Sequence, residues 1–202
     1  AGIKVPNGFA LTTEAWKIFA SFPDLKGRIE ALLSRIDFND DESLHRHSTH
    51  IWQQIDRAPM RGEIYGALME NYRILERSFW PNVDVAVRSS AVAEDLDDAS
   101  FAGQHDSYLN IRGVEEVALS VKHCFGSIFT ERALSYRREK GFPLFPEDGI
   151  AVVVQKMVRS DKSSSGVAFS NDPDSNAPYL TIINSGLGLG ESIVRGMVTP
   201  DT

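Results

Sequence analysis

The chain has 202 residues, 42% hydrophobic and 24% charged, enough to bury an ordinary core in one large domain or two small ones. Its formal net charge of −7 comes with no dominant cluster of Lys and Arg, which argues against a nucleic-acid partner, because phosphate backbones are held by clustered cations. A lone cysteine, Cys124, excludes an intramolecular disulfide framework and fits a reducing compartment, with cytoplasm the default expectation; no apolar run approaches the roughly 20 residues of a membrane span, and the N-terminus has no signal pattern.

Val5-Pro6-Asn7-Gly8-Phe9 reads as a turn with an extended flank, followed by a helix that Thr12 or Thr13 caps and that carries Trp16, Ile18 and Phe19. Helical spacing then predicts three more helices. Their apolar stripes are Ile29, Leu32, Leu33 and Ile36; Leu44, Ile51, Trp52 and Ile55, entered from Asn39-Asp40-Asp41-Glu42; and Ile64, Leu68, Tyr72 and Leu75. At Val83-Asp84-Val85-Ala86-Val87 the period changes to alternation with β-branching, which predicts a strand, and a second strand follows near residues 107–111. Gly113 precedes Val114, Val117, Ala118, Val121, Phe125, Ile128 and Phe129, a stripe predicted as one long helix that continues toward Lys140 and ends at Gly141. Strands are predicted at residues 150–158, 166–170 and 179–184, joined by turns rich in Ser, Asn, Asp and Pro. Helices first and short strands last imply an α+β fold with mostly antiparallel pairing toward the C-terminus, and a doubly wound sheet fits poorly.

The segment Val85 to Asn110 carries the strongest chemical signal. A strand ends in Arg88, and a loop with hydroxyls and small residues follows before extended structure resumes; a guanidinium on a rigid base beside many donors is what a polyanion such as a nucleoside triphosphate requires. A salt bridge from Arg88 to an acidic neighbour is the competing reading. Gly103 in Ala99-Ser100-Phe101-Ala102-Gly103-Gln104 lets backbone close over a ligand, or simply makes a tight turn. Glu94, Asp95, Asp97 and Asp98 would repel a triphosphate unless solvated or bridged by a cation, and a solvated loop is preferred. In VVVQKMV, Val152 to Val154 lead into Gln155, Lys156, Met157 and Val158, read either as simply a buried strand or as a hinge whose backbone can pair with an adenine edge. Gly186-Leu187-Gly188-Leu189-Gly190-Glu191 has the wrong glycine spacing for a dinucleotide fingerprint. His45 and His47 on one helix diverge, so with His50 they do not converge on a metal. For His105 and His123 structural roles are preferred.

These motifs, in order, resemble the nucleotide-binding domain of the pyruvate phosphate dikinase family, in its phosphoenolpyruvate synthase branch. The resemblance is carried by AGIKVPNGFALTTEAW, VRSSA, AED, ASFAGQ, YLN, VQKMVRSD, SSGVAFS and GLGLGESIVRGMVTPD, and covers nearly the whole chain, most weakly from about Asp37 to Trp80. It implies an ATP-grasp-like fold with nucleotide held between a subdomain of residues 1–154 and the start of a second at 155–202, hinged near Gln155. It implies phosphate contacts from Arg88, Gly103 and Ser107, the last commonly threonine in the family. Gln155 matches a nucleotide-contacting glutamine, and Glu191 lies in the family's GLGE loop, where it would orient a cation or a ribose hydroxyl.

The implied ligands are ATP and Mg2+, with no metal ligand assigned within the chain. Enzymes of this branch transfer the β-phosphoryl of ATP to a histidine on a mobile domain and then to pyruvate, releasing AMP and phosphate. The chain begins without methionine and reads as a piece of a longer protein. The family's ATP-contacting lysine is expected before Ala1, its glutamate, glutamine and arginine cluster after Thr202, and its phosphohistidine and pyruvate domains elsewhere, so the piece alone is expected to bind ATP weakly and turn over nothing. Partners are therefore ATP and the phosphohistidine domain of the same full-length protein, with pyruvate reached only through other domains, and neither nucleic acid nor membrane. Two alternatives stand: a sister phosphotransferase, such as a rifampin phosphotransferase or a pyruvate phosphate dikinase, or a non-catalytic module that binds a nucleotide or a partner protein.

Overall fold

The computed structural model describes residues 4–60, 62–91, 107–171 and 180–199. The chain divides into two compact units, Ala1–Met157 and Val158–Thr202.

In the first unit, β1 (Gly8–Leu11) leads into α1 (Thr13–Ala20), α2 (Leu25–Leu33), α3 (Asp41–Arg57) and α4 (Gly62–Ser78), so each of the four predicted helices forms. The extended flank expected at Val5-Pro6-Asn7-Gly8-Phe9 forms as an edge strand, because Gly8–Leu11 finds a ladder on β4 (Ile150–Lys156), a partner distant in sequence. Thr12 occupies the N-cap position of α1 in extended conformation, yet its side chain makes no capping bond. Asp40 does cap α3, accepting from the Glu42 N–H at 3.0 Å. Next come β2 (Val85–Ala91) and β3 (Ser107–Ile111). The sheet order is β1-β4-β2-β3, with every pairing antiparallel.

The single long helix expected between Val114 and Lys140 is a correction. It is broken into α5 (Val114–Gly126), a 3-10 turn over Ser127–Phe129 and α6 (Glu131–Lys140). Ser127 Oγ donates back to the Cys124 carbonyl at 2.8 Å, and Thr130, extended at φ −63° and ψ 153°, starts a new helix by accepting from the Ala133 N–H at 3.3 Å. The apolar stripe runs unbroken through this interruption because Ile128 and Phe129 stay buried in the turn; periodicity reports the buried side, not helical continuity.

One face of the sheet buries Val85, Val87, Ile150, Val152 and Val154 against a core that includes Trp16, Phe19, Phe125 and Phe129. Trp16, fully buried, has its indole N–H satisfied by the Pro146 carbonyl at 3.1 Å. In the second unit β5 (Ser164–Phe169) pairs antiparallel with β6 (Ile182–Leu187), followed by the one-turn α7 (Glu191–Val194). The strand predicted at residues 179–184 is thus shifted toward the C-terminus, and Gly186 and Leu187 of the glycine-rich segment belong to a ladder, not to a loop. The architecture is α+β. No helix among the described residues is long and apolar enough to cross a membrane.

Candidate functional site

Strand alternation sends Val85, Val87 and Ser89 of β2 toward the helices and Ala86, Arg88 and Ser90 to the opposite face. The burial pattern follows: Val85 and Val87 are inaccessible to solvent and Arg88 is exposed. Directly opposite Arg88 stand Ser107 of β3 and Val153 of β4, and antiparallel partners share a face. Two residues along β4, Gln155 stands opposite Ala86 on one side and Gly8 on the other. The sheet therefore brings Arg88, Ser107 and Gln155 onto one face, the one its helices leave uncovered.

Arg88 Nε reaches Ser107 Oγ at 3.5 Å, a long contact. Among the described residues no carboxylate pairs with Arg88. The expectation that the strand ends in Arg88 is corrected: β2 runs three residues further, to Ala91, because β4 continues to pair with it, whereas β3 begins at Ser107; an anion held over this face would meet the guanidinium and the hydroxyl together. Ser89 of the same motif keeps its hydroxyl buried without a partner among the described residues. Gly103, with Glu94, Asp95, Asp97, Asp98 and His105, lies outside the described residues.

Gln155 is anchored: its Nε2 donates to the Pro6 carbonyl at 3.2 Å, tying β4 to the segment before β1. The exit of β4 is fixed further by the Lys156 N–H donating to Asn7 at 2.8 Å and the Met157 N–H to Asp84 at 2.9 Å. Met157 itself is buried. Glu191 belongs to the second unit, where it opens α7 and pairs with Arg195 at 2.9 Å.

Three of the described histidines make local contacts. His45 Nδ1 meets Glu131 at 2.6 Å, and His47 Nδ1 meets the Ser43 carbonyl at 2.7 Å. His123 lies against the Trp52 and Tyr108 rings, 3.7 Å from Asp56. Among the described residues no three His, Cys, Asp or Glu side chains gather as a metal site. Sequence reasoning missed one feature: Lys156 lies over the rings of Phe79 and Trp80. Two adjacent aromatics at the polar end of α4 were its only trace in the sequence.

A family model described as the AMP/ATP-binding domain of pyruvate phosphate dikinase matches residues 1–202. The phosphoenolpyruvate synthase of Aquifex aeolicus is 43% identical over 201 residues, covering 99% of this chain and 23% of that protein. The phosphoenolpyruvate synthase of Escherichia coli is 43% identical over 202 residues, 99% of this chain and 25% of its own. The probable phosphoenolpyruvate synthase of Archaeoglobus fulgidus is 46% identical over 202 residues, 100% of this chain and 26% of its own. The chain thus spans about a quarter of the length of the curated relatives it matches. With a family model matched from end to end, the chain belongs to the pyruvate phosphate dikinase AMP/ATP-binding domain family.

Proposed function

We propose that this chain is the ATP-binding domain of a phosphoenolpyruvate synthase, an ATP-dependent phosphotransferase that converts pyruvate, ATP and water into phosphoenolpyruvate, AMP and phosphate through a phosphohistidine. The end-to-end family match and relatives of that name support the assignment. The observation that carries it to the residues is the row formed by Arg88 and Ser107, opposite each other in register on the uncovered face of the sheet.

In this reading Arg88 neutralises charge on the phosphates and Ser107 donates a hydroxyl to them, while the backbone of Gly103 closes on the same anion. Gln155 and the exit of β4 lie by the base. For Glu191 we propose the contact to a cation or a ribose hydroxyl that its place in the GLGE segment implies, and for the family an ATP-grasp-like fold. The chain's part in the reaction is positioning and charge neutralisation, the main sources of catalysis in phosphoryl transfer. Magnesium bound with ATP would supply charge screening at the phosphates; among the described residues no group of three His, Cys, Asp or Glu side chains gathers that could hold it. Pyruvate and the phosphohistidine belong to other domains of the full-length enzyme, whose setting, given a single buried cysteine, we take to be the cytoplasm.

Arg88→Ala in the full-length enzyme tests this. Transfer of label from the β-phosphate of ATP to protein histidine should fall by about two orders of magnitude, the scale of losing one charge-stabilising donor. Labelling at the parental rate would sink the proposal, and retained partner binding without any labelling in the parent would favour a non-catalytic nucleotide module.

A further inference from the structure

We infer that Lys156 is a positioning residue: caged by Phe79 and Trp80, its ammonium orients the peptide that follows Met157 and thereby sets how the end of β4 meets the nucleotide base. The inference rests on the ATP-binding reading and adds what tunes base selection there.

Lys156 stands opposite Val85 in register, so its side chain leaves the sheet on the helix-packed side, away from the face of Arg88 and Gln155. On that side Nζ lies 5.0 Å from the centre of the Phe79 ring and 4.8 Å from that of Trp80. The two rings meet edge to face, 5.9 Å apart at 71°. No carboxylate pairs with Lys156 among the described residues, and the negative faces of the rings stand in for a counter-ion. Phe79 and Trp80 remain 37% and 40% exposed, so burial alone does not account for two large aromatics at this point. What they hold is a donor: Lys156 Nζ bonds the Met157 carbonyl at 3.0 Å.

Three bonds consequently fix this stretch of backbone. The Lys156 N–H goes to Asn7, the Met157 N–H to Asp84 and the Met157 carbonyl to the ammonium. In a planar trans peptide the N–H points opposite to the C=O, so the Val158 N–H is aimed away from Lys156. Among the described residues nothing accepts from it. A backbone donor of fixed direction at the end of an apolar strand distinguishes bases by elementary chemistry. Adenine presents an unprotonated ring nitrogen at its pairing edge and accepts, whereas guanine presents a ring N–H there and leaves the donor unpaired, which costs affinity. Loosening the cage should blur that distinction while leaving the phosphate contacts at Arg88 alone.

The test uses the full-length enzyme with Lys156→Met, which keeps the stem and removes the charge, Trp80→Leu, which removes one ring, and Lys156→Arg, which returns a cation to the rings. We expect the first two to raise KM for ATP and to lower the ATP-over-GTP ratio of kcat/KM, each by about five- to tenfold, the loss of one cation–π contact. In the same two variants kcat and KM for pyruvate hold, and Lys156→Arg recovers most of the ratio. Hydrogen exchange of a peptide spanning residues 154–162, without nucleotide, should speed up in Lys156→Met and return toward the parent in Lys156→Arg. An unaltered ATP-over-GTP ratio in Lys156→Met overturns the inference, as does a joint drop of kcat, pyruvate use and melting temperature with that ratio intact. The exchange arm needs no ligand: unchanged exchange refutes the cage itself, whereas faster exchange in an enzyme that takes no ATP refutes the functional reading and leaves the cage standing.

Discussion

Arg88 and Trp16 show two ways in which one side chain depends on its backbone. Arg88 is aimed by register alone, since a shift of one residue in the β2–β3 or β2–β4 ladder would send its guanidinium into the core and lift Val87 into solvent. Trp16 depends on an absence. Gly149 adopts φ +68°, and a Cβ built there would meet Trp16 Cδ1 at 1.9 Å and Cγ at 2.3 Å. The indole cannot retreat, being fully buried, bonded to Pro146 and in contact with the Phe19, Phe125, Phe129 and Phe145 rings. Gly149→Ala therefore combines overpacking with a left-handed backbone and should destabilise the chain by about 3 kcal/mol. Urea unfolding followed by tryptophan fluorescence reads this as a lower midpoint, and a midpoint within error of the parent would contradict it.

The break between α5 and α6 sets out what elements owe to local chemistry and what to burial. Thr130 makes the new start: its Oγ accepts from the Ala133 N–H and donates to the Ser127 carbonyl at 3.1 Å. Thr130→Ala should cost about 1 kcal/mol and Thr130→Ser much less, because only the first removes the cap; chemical denaturation of the pair checks this, and equal losses would mean that the methyl, not the cap, matters. The hydrophobic pattern could not reveal this boundary, since Ile128 and Phe129 continue the buried stripe through the 3-10 turn. Where one face is buried and the other wet, the sequence was readable: β3 falls at Ser107–Ile111 and the four early helices follow their apolar stripes. β1 was legible only as an extended flank, because the four residues Gly8–Leu11 acquire their ladder from β4, more than 140 positions away. The site divides along the same line. Arg88 was legible from its place after an alternating apolar run, whereas the caging of Lys156 joins the residues after α4 to the end of β4 and leaves only the adjacent Phe79 and Trp80 as a trace.

At the scale of the whole molecule, stability should be unequal between the two units. The first unit closes a four-stranded sheet over a continuous core that includes fully buried Trp16, Phe19, Phe125, Ile51 and Ile55. Among its described residues the second has one two-stranded ladder, a 3-10 turn and the single turn of α7. None of its described residues is buried, and Leu187 is 90%, Val194 73%, Met197 71% and Ile183 60% exposed. A lone two-stranded ladder is marginal in water because it has too little apolar surface to offset the entropy of ordering, and regions of few buried contacts open below the global unfolding energy. Amide exchange of this 202-residue chain should therefore show β5 and β6 opening at least ~2 kcal/mol more readily than β2 and β4. Residue-resolved exchange by NMR makes the comparison within one sample. Equal protection of Val167 in β5 and Val87 in β2 would show that contacts other than the ladder and α7 hold residues 158–199, and that the ladder is not the weak point of the fold.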